Sequence, residues 1–97
     1  MIRQTVTPFQ MRIARAALFW THAHLAALSG IDRRRLHRFE MGVTIRDSEA
    51  VAAKLRAIFE EAGIKFREDG ISYPRAWTDE VPPNASEEAE KISQKAA

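Results

Sequence analysis

Arg33, Arg34, Arg35 and Arg38 place four guanidinium groups in six successive positions, and no acidic residue inside the run balances them. At helical spacing Arg34, His37, Arg38 and Met41 share one face, while Leu36, Phe39 and Glu40 turn inward on another. A planar guanidinium forks onto O6 and N7 of guanine, the commonest specific contact to a base edge, and it also clamps phosphate. The chemistry on offer is recognition of a polyanion. A merely solvated helix surface rarely carries so many arginines without glutamates to match.

Other chemistries fare worse. His22 and His24 suggest metal ligation, but positions two apart on a helix point about 200° from each other and cannot share one ion. No metal site and no cofactor is expected. No nucleophile–base pair or carboxylate pair falls in a plausible cleft, which argues against an enzyme. The net charge of +2 conceals a division of the chain. Residues 1–46 hold eight arginines and no lysine against two acids, a net +6, whereas residues 47–97 carry a net −4. The basic half is the half that meets a polyanion.

Ninety-seven residues suffice for one small domain and exclude a barrel or a doubly wound sheet. With 45% hydrophobic and 29% charged residues the composition is globular. The absence of cysteine removes disulfides and thiolate metal sites and fits a reducing cytoplasm. Apolar stretches are broken within about eight residues, too short to span a bilayer, so no membrane partner is expected. The first four residues, Met1-Ile2-Arg3-Gln4, have no apolar core of a secretory leader, and none is expected.

The elements that must position the arginines are well punctuated. Thr7-Pro8-Phe9-Gln10 combines a capping Thr, a Pro at the first helical position and a Gln to close a capping box, predicting a helix from Pro8 to about Phe19. Thr21 caps a short helix over 22–29, Gly30 ends it in the left-handed region, and Asp32 caps the next. That third helix spans 33–41 and stops at Gly42. Asp47 is the N-cap candidate for a helix over 48–62, with Val51, Leu55, Ile58, Phe59 and Ala62 on one stripe. The period then changes to alternation in 64–67 and 71–73 around Glu68-Asp69-Gly70, a β-hairpin closed by Pro74. Trp20 belongs in the core at the first joint. Trp77 either docks back on the hairpin, stays exposed, or anchors a partner.

Two short helices joined by a glycine-containing turn, the second opening with arginines, have the layout of a helix-turn-helix. The run from Thr21 to Gly42 resembles the Cro and phage-repressor (Xre-type) family of regulators. Its Leu25-Ala26, Gly30-Ile31, Leu36, Phe39, Glu40 and Gly42 occupy the family's positions, with Asp32 at the usual Ser or Thr cap. The resemblance covers residues 8 to about 62. It implies that Arg15 pairs with Glu40, that Thr21 and His22 meet the DNA backbone, and that Arg46, with Thr44 beside it, contacts phosphate. Departures are clear. Thr21, His22 and His24 replace the family's usual Ser-Gln and third-position Glu, and Asp47 stands where a loop Pro is common. A hairpin stands where many members have a fifth helix.

The expected fold is therefore mainly α. A compact four-helix helix-turn-helix domain (1–63) leads into a short β-hairpin (64–76) and a polar, disordered tail (77–97). Arg33, Arg34 and Arg38 are the candidates for base edges, Arg35 and His37 secondary ones, and any of them can instead hold phosphate. The function this implies is a sequence-specific transcriptional regulator, a repressor, binding double-stranded DNA as a homodimer in the cytoplasm at the nucleoid. Its operator would be palindromic with G-containing half-sites. Ile64, Phe66, Ile71 and Tyr73 on the hairpin are the dimerisation candidates; the competing reading folds the hairpin over the chain's own last helix. The rival function is a protein-interaction module, an antitoxin or antiactivator, gripping a partner through the hairpin or tail.

Overall fold

Thr7 and Gln10 start the first helix reciprocally. Thr7 Oγ1 accepts the Gln10 amide at 3.1 Å and Gln10 Oε1 accepts the Thr7 amide at 3.0 Å, with Pro8 at the first helical position. In the computed structural model, which describes residues 6–68, 70–78 and 82, this helix is α1 (Pro8–Leu18). It ends one residue before the expected Phe19. Phe19 itself takes φ 57°, so the Phe19 amide returns to Ala16 and the Trp20 amide to Arg15, a Schellman closure that usually employs glycine.

Thr21 Oγ1 accepts the His24 amide at 3.0 Å and opens α2 (His22–Ser29), which Gly30 closes at φ 73°. Ser29 is buried, and its hydroxyl accepts the Ile31 amide at 3.1 Å, fixing the turn that follows. Asp32 then caps α3 (Arg33–Glu40) through the Arg34 amide. Asp47 behaves otherwise than expected. It lies at φ 56° and makes no side-chain cap, so α4 (Ser48–Glu61) starts through the Asp47 carbonyl, which accepts the Val51 amide. Glu49 in its first turn suits the positive end of the helix dipole.

The four helices enclose Met11, Ala14, Leu18, Leu25, Leu36, Leu55 and Phe59, all fully buried. Each such large side chain contributes about 1.5–3 kcal/mol through its removal from water. Trp20 is in this core as expected, with its ring stacked 5.6 Å from that of Phe59.

The hairpin is present but shorter than the alternation suggested: β1 (Lys65–Phe66) and β2 (Ile71–Ser72), antiparallel, with Phe66 opposite Ile71. It folds back on its own chain. Phe66 meets Phe59 of α4 edge-on at 6.1 Å, and Gln10 of α1 donates from Nε2 to the carbonyls of Arg67 and Gly70 at 2.6 and 3.2 Å. Ile64 is 1% exposed inside this core. It is thereby corrected as a dimerisation residue, because a partner cannot reach it. A 3-10 turn over Arg75–Thr78, which the sequence reading did not foresee, brings Trp77 over Gly63 and parallel to Tyr73, with ring centroids 6.4 Å apart. Trp77 thus docks back at the root of the hairpin. The rest of the expected tail, Pro82 excepted, lies outside the described residues.

Candidate nucleic-acid interface

α3 is amphipathic in the sense needed to present arginines. Leu36, Phe39 and Glu40 are buried against the bundle, while Arg33, Arg34, His37, Arg38 and Met41 are exposed. Among the described residues no carboxylate pairs with Arg33, Arg34 or Arg38. Three of the four clustered guanidiniums therefore stand in solvent on one surface. Arg35 differs from them: half-buried, it turns back and donates to the Arg46 carbonyl at 2.6 Å, bracing the loop between α3 and α4. Arg46 and Thr44 are exposed in that loop, beside the C-terminal end of α3.

Beneath the arginines lies an ion cluster drawn from three helices. Arg15 Nε donates to Glu40 Oε1 at 2.8 Å and a second guanidinium nitrogen to Oε2 at 3.2 Å; a third donates to the Trp20 carbonyl at 2.9 Å. The expected Arg15–Glu40 pair is thus present, and bidentate. Burial pushes the Glu40 carboxyl upward, but the hydrogen bonds and charge of Arg15, with His22 adding to them, hold it below its ordinary value. His22 also reaches this cluster: its Nε2 lies 2.9 Å from Glu40 Oε2, which turns that edge of the imidazole inward. Thr21 does cap α2, and a shallow cleft lined by Thr21, His22, Ala23, Asp32, Arg33, Arg34 and His37 joins the N-termini of α2 and α3. The first-turn amides that Thr21 and Asp32 do not cap, together with Arg33 and Arg34, make that cleft favourable for an anion, with the Asp32 carboxylate opposing them.

His37, exposed on α3 as expected, also approaches the buried ion cluster. Its ring meets that of His22 edge-on at 5.4 Å, and ligand atoms of His22, His37 and Glu40 all lie within 4.8 Å of one another. The His37–Glu40 spacing of three on one helix was available as a signal, but the approach of His22 from α2 is tertiary. His24, by contrast, packs on Trp20 at 5.2 Å, away from this cluster.

A second surface is apolar. Phe9, Phe19 and Tyr73 are each about half exposed (51, 48 and 47%) and border a cleft with Ile13, Ile71 and Trp77 between α1 and the hairpin. Comparison with known proteins returns no match to a family model, a curated protein or a solved structure. No helix among the described residues is long and apolar enough to cross a membrane.

Proposed function

We propose that this protein is a sequence-specific double-stranded DNA-binding regulator, a repressor, that inserts α3 into the major groove and acts as a homodimer at the nucleoid. One observation carries the reading: Arg33, Arg34 and Arg38 are exposed and unpaired with carboxylates among the described residues, on a helix whose opposite face is buried. A helix entering the groove N-terminus first brings Arg33 and Arg34 to base edges, with Arg38 one turn on. The cleft at the start of α2 and α3 accepts a phosphate, and Arg46 with Thr44 reaches the backbone beyond the far end of α3.

Pairing of two copies supplies the second half-site that a single short helix needs for specific affinity. The apolar cleft of Phe9, Phe19, Tyr73 and Trp77 is the surface we assign to that pairing. Phe19 supports the assignment, because a bulky residue held at φ 57° and half exposed costs stability within the protomer. Phe66 and Ile71 are half-buried on the protomer's own helices, which leaves Tyr73 as the hairpin residue most available to a partner.

The test is fluorescence anisotropy with the duplex upstream of the protein's own gene. Arg34→Ala and Arg38→Ala should each cost about 1–3 kcal/mol of specific binding and relax preference at one or two base pairs. Melting temperatures should not move, since both side chains are exposed. Wild-type binding by both variants would contradict groove reading by α3.

A further inference from the structure

We propose that His22, His37 and Glu40 form a binding site for a divalent transition-metal ion of the zinc class. Their ligand atoms lie within 4.8 Å of one another, one imidazole from the start of α2 and an imidazole and a carboxylate three residues apart on α3. Two imidazoles and a carboxylate are a donor set that suits zinc better than hard ions such as magnesium and calcium. Zinc–donor bonds of about 2.0–2.2 Å put tetrahedral donors roughly 3.4 Å apart, so the widest separation must close by up to about 1.4 Å. His22 Nε2 and Glu40 Oε2 are already 2.9 Å apart, and His37 is exposed and free to swing. The ion takes the place of the hydrogen between His22 Nε2 and Glu40 Oε2, and the neutral imidazole that ligates carries its hydrogen on Nδ1.

The surroundings fit a built site. Arg15 grips the Glu40 carboxylate at 2.8 and 3.2 Å and so fixes its orientation, as outer hydrogen bonds do for metal-bound carboxylates. The guanidinium also repels a cation, which favours a modest affinity over a structural one. Three protein donors leave a fourth position for water or an anion, and His22 and His37 line the same cleft as Arg33 and Arg34. An ion here ties α2 to α3. The proposal stands on this cluster alone and does not depend on the DNA reading.

Zinc chloride added to the full chain should raise its melting temperature by about 5 °C or more at saturation. Cobalt(II) should give the intense visible absorption of a tetrahedral site. His37→Gln should leave the metal-free melting temperature unchanged, because His37 is exposed, while abolishing both the shift and the spectrum. His24→Gln, outside the cluster, should retain both. A wild-type protein with neither zinc shift nor tetrahedral cobalt spectrum overturns the proposal, as does a His37→Gln variant that responds like wild type.

Discussion

Glu40 concentrates most of what single residues decide in this protein. It is 5% exposed, and its charge is tolerable only because Arg15 and His22 both reach it. Arg15→Ala strands that carboxylate and should cost about 3 kcal/mol, read as a large drop in melting temperature. The pH dependence has a definite sign. A carboxyl held below its ordinary value in the folded state contributes stability that is complete above the unfolded pKa and is lost as pH falls through the folded one. The groups facing it are Arg15 from α1, His22 from α2 and His37 on its own helix. The gap in melting temperature between wild type and Arg15→Ala should therefore narrow on acidification below the carboxylate range. A gap constant down to strongly acidic pH would mean that Glu40 is not the group responsible. The Arg15–Glu40 pair was legible because the family resemblance named both positions. The inward turn of His22 was not, since no local pattern says that α2 begins against the buried end of α3.

Among the elements, the helices were readable and their tertiary joints were not. Thr7, Thr21, Asp32, Gly30 and Gly63 mark ends through local hydrogen bonds and backbone preference, information that lies within a few residues of each boundary. Asp47 misled because its capping potential is real but its backbone goes left-handed at the end of a loop that Arg35 braces. The hairpin's destination depended on Gln10, whose oxygen closes the α1 capping box while its nitrogen holds Arg67 and Gly70, residues about 60 positions away. Gln10→Glu separates those roles: the carboxylate still accepts from Thr7 but meets two carbonyls without a donor. It should destabilise the protein by about 1–3 kcal/mol and speed hydrogen exchange of the Arg67 amide, while exchange in α1 stays protected. Unchanged exchange at Arg67 would mean the hairpin is held by Phe66 and Phe59 alone.

At the scale of the whole molecule, two surfaces divide the labour proposed for it: the arginines of α3, and the aromatic cleft between α1 and the hairpin. In sedimentation the full chain should be a dimer at tens of micromolar, a regime where roughly 8 kcal/mol per micromolar-Kd interface operates. Tyr73→Glu should shift it to monomer while its helical circular dichroism at 25 °C is retained, because Tyr73 is half exposed. A wild-type monomer would remove the cleft as the pairing surface. The claim that matters most is sequence-specific recognition of duplex DNA by α3, and selection from a random duplex pool with the full chain tests it most directly. The enriched sequences should be palindromes with G-containing half-sites about 10 base pairs apart, one helical turn, and they should not be enriched by the Arg34→Ala, Arg38→Ala double variant. Recovery of sequences indistinguishable from the starting pool, by a folded wild-type protein, would contradict it.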